Sequence, residues 1–239
     1  MNSLLPATYR DAEVVESFGD LGVLALTTGR RIGSFGTATD EPVRDVMARW
    51  SLLRDAAGGQ SARLATAIQV HGTTIVEHEG SWRGWLRGPD ADGHIAVSRG
   101  TAMAVTVADC VPVFLVHPSG ATAALHSGWR GTAGRISERA IARFSALGMS
   151  PPDLRLHCGP AICGKCYEVS PDVYGELTGR SVEAPATVDL RALIADHAHL
   201  AGVRTISISD QCTRCNNDRF YSHRAGDAGR QLGVIRALE

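Results

Sequence analysis

The longest apolar stretches lie in the middle of the chain and have the length of β-strands. Ala102–Val107, Val111–Val116 and Thr122–His126 are rich in valine and alanine, which is typical of strands buried on both faces. Pro118-Ser119-Gly120 predicts a turn between the last two. Shorter apolar runs predict further strands over Glu13–Phe18, Val23–Thr28, Ala65–Val70, Thr74–His78, Leu154–Cys158 and Thr205–Ser209.

Four other segments are predicted to be helical. Asp40 is a suitable N-cap for a helix over Glu41–Ala56, and Gly148 is a suitable stop for a helix over Gly131–Leu147. The other two helices are predicted over Asp189–Ala201 and Gly229–Leu238. Because about eight strands and four or five helices are mixed along the chain, we expect an α/β or α+β fold. With no internal repeat or low-complexity linker in the sequence, we expect one domain over residues 1–239.

Charge and composition argue against nucleic-acid binding, a membrane span and secretion. The 239 residues include 24 Lys and Arg against 25 Asp and Glu, so no basic excess favours nucleic-acid binding. The apolar region Ala102–Val116 is too short to span a bilayer and is interrupted by Asp109 and Pro112. Residues 1–10 do not have the pattern of a secretory signal. We therefore expect a cytoplasmic protein without a membrane or nucleic-acid partner, in which the six cysteines stay reduced.

Three borderline or soft metal ligands stand at the ends of predicted strands. They are His71, Cys110 and His126, each close to a glycine or a turn. Imidazole nitrogen and thiolate sulfur suit Zn²⁺, and three protein ligands leave a position open for water or substrate. Two other interpretations stay open on these residues alone: hydrogen-bonded histidines beside a buried cysteine, or a metal-free Cys-His nucleophile pair.

A basic residue close to these ligands could bind an anion. Arg130 lies in the segment His126–Thr132, which leads into a predicted helix, and its guanidinium could contact phosphate. A surface arginine is the ordinary alternative. The sequence contains neither the phosphate-loop pattern nor the dinucleotide-binding pattern, which argues against nucleoside triphosphates and NAD.

Four further cysteines form two C-x-x-C pairs. Cys163 and Cys166 make the first pair and Cys212 and Cys215 the second, about 45 residues further on. Together they could close a structural Cys₄ zinc site, although the usual separation is about 15–20 residues. A redox dithiol and unpaired core cysteines are the alternatives. Cys158 has no assigned role.

Several short motifs occur in an order that resembles one known family. The resemblance covers about residues 65–239, and the family is described variously as multicopper polyphenol oxidase (laccase) domain proteins, peptidoglycan editing factors and purine nucleoside phosphorylases. Its motifs here are Gln69-Val70-His71-Gly72, Ala91-Asp92-Gly93, Ala108-Asp109-Cys110-Val111-Pro112, His126-Ser127-Gly128-Trp129-Arg130-Gly131-Thr132, Cys166-Tyr167-Glu168-Val169, and Cys212-Thr213 followed by Phe220-Tyr221-Ser222-His223-Arg224.

This resemblance implies a fold, a metal and a reaction. The fold would be a layered α/β/β/α sandwich with mixed sheets, similar to the catalytic domain of cytotoxic necrotising factor toxins. His71, Cys110 and His126 would bind zinc, and the activity would be phosphorolysis of adenosine, inosine and methylthioadenosine, with adenosine deamination as a second activity. Phenol oxidation with copper has also been ascribed to the family.

The resemblance also suggests roles for residues around the metal. Asp109 would act as an acid/base or support the metal ligands, although a structural aspartate in a turn is an equal alternative. Gln69, Arg130, Arg30 and Arg224 would bind substrate or phosphate. Either Arg30 or Arg31 would correspond to the family's N-terminal arginine, because Thr27–Gly33 only loosely fits that segment of the family.

Three other functions compete with nucleoside phosphorolysis. A copper oxidase is disfavoured because the nine histidines are scattered, with no His-x-His pair near the proposed site. A cysteine amidase that edits peptidoglycan precursors would use Cys110 as nucleophile with His71 or His126 as base. A binding module would use zinc for stability alone.

Overall fold

The computed structural model describes Tyr9, residues 11–56 and residues 62–239. The segment examined for a secretory signal lies, apart from Tyr9, outside the described residues. Within these ranges, no helix has both the length and the apolar character needed to cross a bilayer.

The described residues form two six-stranded mixed sheets and one two-stranded sheet. The first sheet has the order β1-β2-β14-β7-β3-β5. Its strands are β1 (Glu13–Val14), β2 (Val23–Thr27), β3 (Arg63–Ile68), β5 (Gly84–Asp90), β7 (Thr101–Val107) and β14 (Gln231–Ala237). The second sheet has the order β13-β10-β8-β9-β6-β4. Its strands are β4 (Ile75–His78), β6 (Gly93–Ala96), β8 (Val111–Val116), β9 (Thr122–Ser127), β10 (Arg155–Cys158) and β13 (Thr205–Ile208). The small sheet pairs β11 (Glu168–Val169) with β12 (Ala186–Thr187).

Helices cover the outer faces of the two large sheets. They are α1 (Val43–Ala56), α2 (Trp129–Ala133), α3 (Ile136–Ala146), α4 (Pro171–Thr178) and α5 (Leu190–Leu200). Short 3₁₀ turns occupy Glu16–Leu21, Arg30–Ile32, Pro151–Asp153 and His223–Ala225. The predicted helix over Asp189–Ala201 is confirmed, with Asp189 as its N-cap.

Three hydrophobic clusters show how these layers stack. Along β7, Met103 and Val105 face the cluster between the two sheets, whereas Ala102 and Ala104 face the cluster under α1. The third cluster packs the second sheet against α3 and α5, with Phe144 and other side chains fully buried. The strand period of two thus places apolar residues in two cores at once. The layers follow the order α/β/β/α, which confirms the predicted sandwich with mixed sheets.

The prediction of a helix over Gly229–Leu238 is wrong, because this segment contains β14. Leu232 and Val234 pack toward α1, whereas Ile235 packs between the sheets. A strand buried on both faces has no polar face, so its apolar run cannot be told from a buried helix by periodicity. Pairing with β2 and β7 decides the conformation.

Other boundaries also differ from the prediction. The helix predicted over Gly131–Leu147 is two helices, α2 and α3, separated at Gly134 and by Arg135 with φ of 63°. A Cβ at Gly134 would lie 2.6 Å from Thr73 Cγ2, so close packing of the chain requires glycine at this break. The strand predicted over Glu13–Phe18 ends at Val14, and the helix predicted from Glu41 begins at Val43. The strands β5, β6, β11 and β12 and the helix α4 were not predicted.

Two buried histidines make stability depend on pH. Burial lowers the pKa of His94 to about 3 and that of His157 to about 4. Both are neutral when folded and bind a proton on unfolding once the pH falls below about 6.5. Stability should therefore fall with pH in this range, by about 1.4 kcal/mol per pH unit for each histidine.

Removing one of these histidines should make the pH dependence shallower. The His157→Gln variant is expected to lose about 1.4 kcal/mol per pH unit of slope between about pH 6 and pH 4.5. Urea unfolding at several pH values measures the slope. His199→Gln, at an exposed position, should keep the wild-type slope. Equal slopes in wild type and His157→Gln would show that His157 is not neutral in the folded protein.

Candidate active site

Three connections carry the chain from the first sheet to the second at one edge of the sandwich. They join β3 to β4, β5 to β6 and β7 to β8. Because β5 and β7 both run parallel to β3, the three connections start at the same edge. They contain His71, Asp92 and Cys110, and His126 reaches the same place from β9. The topology therefore gathers residues that are far apart in sequence.

The three predicted metal ligands converge at this edge. One ligand atom from each of His71, Cys110 and His126 lies within 4.8 Å of the others. His126 is buried, Cys110 is partly buried and His71 is exposed, so the group opens to solvent on the His71 side. Two imidazole nitrogens and one sulfur form a donor set that can hold a metal ion with one position left open.

Asp92 holds two of the three ligands in place and was not predicted as a site residue. Its Oδ1 accepts hydrogen bonds from His126 Nδ1 at 2.7 Å and from the His71 backbone N–H at 2.9 Å. Its Oδ2 accepts from the N–H groups of Gly72 at 2.6 Å and Val70 at 3.2 Å. Since Nδ1 of His126 is occupied, Nε2 is the nitrogen left for a metal. The same contacts hold His71 in its left-handed conformation, with φ of 59°.

Neighbouring charges favour the thiolate of Cys110, which is the form that binds a metal. Burial by itself would raise the pKa of Cys110, but His126 and His71 outweigh it and bring the pKa to about 6. Burial likewise opposes protonation of His126, but Cys110 and Asp92 outweigh it and raise the His126 pKa to about 9. Both shifts favour a thiolate beside an imidazolium in the metal-free site, and a metal bound to Nε2 would take the place of the imidazolium proton.

Gly128 lies directly against the ligands. A Cβ at this position would lie 2.9 Å from Cys110 Sγ and 3.3 Å from His71 Cδ2. The Gly128 φ of −79° is open to any residue, so contact with the ligands is what requires glycine. The close approach of this backbone keeps Cys110 and His71 within reach of one metal ion.

Adding one methyl group at Gly128 should therefore weaken metal binding. In Gly128→Ala, the new Cβ must push Cys110 or His71 away, and we expect metal affinity to fall by roughly 10-fold or more. Gly131→Ala is the matched control, because its Cβ would meet no atom closer than 3.4 Å. Competition with a chromophoric chelator measures both affinities. Equal affinities in the two variants would contradict this role for Gly128.

Asp109 stabilises the turn that precedes the ligand Cys110. Both of its carboxylate oxygens already accept hydrogen bonds from the protein. Its Oδ1 accepts a hydrogen bond from Thr213 Oγ1 at 2.6 Å, and its Oδ2 accepts from the Arg224 backbone N–H at 2.7 Å. Its φ of 80° marks the sharp turn that leads into Cys110. These contacts favour a positioning role for Asp109 over an acid/base role.

Gln69 also has its polar atoms occupied. Its Oε1 accepts hydrogen bonds from the Thr106 backbone N–H and from Thr106 Oγ1, and its Nε2 donates to the Thr106 carbonyl, all at 2.8 Å. Gln69 thus ties the end of β3 to the end of β7. Its amide is occupied by these contacts, and the contact with substrate stays a prediction.

Two arginines and two aromatic rings form a rim beside the ligands. The Arg130 guanidinium lies 4.4 Å from the Trp129 ring centroid, and that of Arg224 lies 4.8 Å from the Tyr167 ring centroid. Burial and Cys110 raise the pKa of Tyr167, whereas Arg224 and Arg130 lower it, so these groups share one electrostatic environment. A cavity of about 310 Å³ adjoins the rim; Trp129, Tyr167 and Arg224 are among its lining residues, and none of the three metal ligands lines it.

Arg30 contacts Asp227 and Tyr221, and none of its described contacts is with a metal ligand. Its Nη2 forms an ion pair with Asp227 at 2.5 Å, and its guanidinium stacks on the Tyr221 ring at 4.6 Å. These contacts attach the N-terminal segment to the loop before β14. Because its charge is matched by Asp227, Arg30 is a weaker candidate for phosphate binding than the exposed Arg130.

A larger cavity of about 560 Å³ lies over the outer face of the first sheet. Its lining includes Trp50, Trp85 and Arg87, but none of the three metal ligands. Gln69 and Thr106, which contact each other, also line it. The chemistry of the side chains, and not cavity size, therefore identifies the candidate active site.

The two C-x-x-C pairs also come together. One sulfur from each of Cys163, Cys166, Cys212 and Cys215 lies within 4.8 Å of the others, so these residues can hold a second metal ion. Cys158 is fully buried outside this group, and burial raises its pKa to about 12.

Known proteins resemble this chain along most of its length. A purine nucleoside phosphorylase of Streptomyces coelicolor is 32% identical over 208 residues, which cover 84% of this chain and 85% of the relative. An adenosine deaminase named RL5, from an unknown prokaryotic organism, is 34% identical over 157 residues, or 60% of this chain and 58% of the relative.

Solved structures and a family model agree with the resemblance found in the motifs. The crystal structure of the hypothetical protein YfiH of Bacillus licheniformis has a TM-score of 0.85 and 22% identity, covering 95% of this chain and 96% of that one. It shares the fold. Residues 33–238 match the family model described as multi-copper polyphenol oxidoreductase laccase. The chain therefore belongs to the multi-copper polyphenol oxidoreductase laccase family.

Proposed function

We propose that this protein is a zinc-dependent purine nucleoside phosphorylase that acts on adenosine, inosine and methylthioadenosine, with adenosine deamination as a second activity. The observation that carries the proposal is the convergence of His71, Cys110 and His126 beside a rim of aromatic rings and arginines. Its relatives support purine nucleosides as the substrate class, because they include a purine nucleoside phosphorylase and an adenosine deaminase.

The donor set fits zinc. His126 offers Nε2 because Asp92 occupies Nδ1, and Cys110 lies where neighbouring histidines favour its thiolate. Two nitrogens and one sulfur suit Zn²⁺, and three protein ligands are typical of its catalytic sites. Zinc in such a site supplies Lewis acidity and lowers the pKa of water that it binds to about 7.

The rim fits the two substrates of phosphorolysis. Trp129 and Tyr167 are partly exposed aromatic rings that could contact a purine where the stacked arginines leave them uncovered, and those arginines, Arg130 and Arg224, offer positive charge to phosphate. In the reaction, a phosphate oxygen bonds to the ribose C1′ while the bond from C1′ to the purine N9 breaks. The electron pair of that bond goes to the base, and the proton of hydrogen phosphate balances it at the purine nitrogen.

Deamination needs the same purine pocket but a different nucleophile. The water oxygen bonds to C6 of adenosine while the bond from C6 to the amino nitrogen breaks; one proton of the water ends on N1 of the product, and the other leaves on the amino group as ammonia. The rim would hold the purine by its faces in both reactions, and phosphate would be required only for phosphorolysis. The two activities should therefore separate by their dependence on phosphate.

A cysteine hydrolase is the second candidate, and one contact favours it. Asp92 orients His126, and His126 lies beside Cys110. This is the arrangement of a Cys-His-Asp catalytic triad. Such an enzyme would act without metal, because the thiolate itself would attack the substrate. Activity after complete metal removal therefore distinguishes the two candidates.

One set of assays tests the proposed function. The purified protein is analysed for metal and then incubated with inosine, with adenosine, and with a phenol plus copper, before and after chelation. We expect zinc, release of hypoxanthine from inosine only with phosphate, and loss of release on chelation. Phenol oxidation with copper alone would identify an oxidase, metal-independent turnover would favour the cysteine hydrolase, and intact zinc without turnover would indicate a binding module.

A further inference from the structure

The four cysteines outside the active site meet the geometric requirements of a closed metal site. Cys163 and Cys166 follow β10, and Cys212 and Cys215 follow β13, its parallel neighbour. All four sulfurs lie within 4.8 Å of one another, and those of Cys166 and Cys215 are 3.5 Å apart. A tetrahedral zinc with Zn–S bonds of about 2.3 Å needs sulfurs about 3.8 Å apart. The observed spacing therefore matches such a site with only small adjustments.

The backbone favours the thiolate of one of the four cysteines, Cys212. The N–H groups of Cys163 and Cys215 donate to Cys212 Sγ at 3.3 and 3.4 Å. Each C-x-x-C segment is a tight turn, closed by hydrogen bonds from Cys166 N–H to the Cys163 carbonyl and from Asn216 N–H to the Cys212 carbonyl, both at 2.9 Å. Donors aimed at sulfur favour the deprotonated form that a metal requires.

The alternatives fit the cluster less well. A disulfide needs sulfurs about 2.05 Å apart, and all six cysteines, which lie within the described residues, are free thiols. Plain core packing is also disfavoured, because Cys215 is exposed and Cys163 and Cys166 are only partly buried. We propose that Cys163, Cys166, Cys212 and Cys215 bind one zinc ion with all four positions filled, as a structural site separate from the active site.

The position of this cluster indicates what the zinc would stabilise. Both cysteine turns attach to Asp109, the residue before the ligand Cys110. Ile162, next to Cys163, donates its N–H to the Asp109 carbonyl at 3.1 Å, and Thr213, next to Cys212, donates its hydroxyl to Asp109 Oδ1 at 2.6 Å. Tyr167 of the rim follows Cys166 directly. The structural zinc would therefore fix the turn that carries Cys110 and one wall of the substrate pocket.

Metal content in matched cysteine variants tests this proposal. The full-length wild-type protein is expected to bind about two zinc ions, whereas Cys110→Ser and Cys212→Ser should each bind about one. Cys158→Ala, which removes a buried thiol outside both sites, should keep two. In the Cys110→Ser variant, cobalt in place of zinc should give the strong sulfur-to-metal absorption of a tetrathiolate site.

A second measurement keeps the test valid if Cys212→Ser does not fold. Mercurial titration of folded Cys110→Ser should release its remaining zinc as about four thiols react. The proposal is wrong if this variant contains no zinc, if the cluster holds iron, or if the native protein is purified with a disulfide between the two C-x-x-C pairs. Because these readouts are independent of turnover, they stand apart from the proposed enzymatic function.

Discussion

Replacing Cys110 with serine should lower kcat/KM for phosphate-dependent release of hypoxanthine from inosine by about 10³-fold or more. The hydroxyl of serine is a poor zinc ligand at neutral pH, and the two remaining histidines hold the metal more weakly. Lewis acid catalysis contributes several kcal/mol, and each 1.4 kcal/mol corresponds to about 10-fold in rate. Steady-state assays with zinc at a buffered concentration measure the loss.

The control for this prediction is Cys158→Ala. Cys158 is fully buried on β10 and lies outside both groups of metal ligands, so its variant should retain activity if it folds. Wild-type activity in Cys110→Ser would contradict the assignment of Cys110 as a ligand. A cysteine nucleophile would also lose activity in this variant. However, if Cys110 acted as a nucleophile, the wild-type protein would remain active after chelation, whereas the zinc mechanism requires that activity to be lost.

Replacing Asp92 with asparagine should have the second largest effect, although Asp92 is not itself a metal ligand. Both oxygens of Asp92 accept hydrogen bonds, so an amide NH₂ in either place would face an N–H donor. Depending on which way the amide is turned, the variant loses the acceptor either for His126 Nδ1 or for the N–H groups of Val70 and Gly72, and in both cases one metal ligand is held less firmly. We expect zinc affinity to fall about 10- to 100-fold and the free energy of unfolding to fall by about 1–3 kcal/mol.

Asp90→Asn is the matched control for Asp92→Asn. Asp90 ends β5 two residues earlier and is exposed, so the same change of charge occurs nearby without touching the ligands. Chelator competition gives the zinc affinity of each variant, and urea unfolding of the metal-free proteins gives their stability. Equal zinc affinities in Asp92→Asn and Asp90→Asn would contradict the positioning role of Asp92.

The metal ligands could be predicted from sequence because each stands at the end of an apolar strand. His71 follows β3, Cys110 follows β7 and His126 lies near the end of β9. Asp92 could not be recognised from the strand pattern, because β5 contains exposed polar residues and a proline and resembles a loop. The motif Ala91-Asp92-Gly93 is the one signal in the sequence that could have identified it.

The roles of the other site residues depended on tertiary contacts that residue type does not specify. Gln69 and Arg30 have side chains suited to binding substrate, but Thr106 and Asp227 occupy their polar groups. Asp109 likewise directs both oxygens to the C-terminal loop. For β14, burial on both faces removed the alternation of polarity that identifies most strands.

The most direct test of a zinc-centred phosphorylase is product stoichiometry after metal removal and restoration. The chelated protein is supplied with inosine and increasing phosphate, with and without added zinc, and hypoxanthine and ribose 1-phosphate are both quantified. We expect no turnover without zinc, turnover that saturates with phosphate when zinc is restored, and equal amounts of the two products. Hypoxanthine release without phosphate, or undiminished release without metal, would contradict the proposed function.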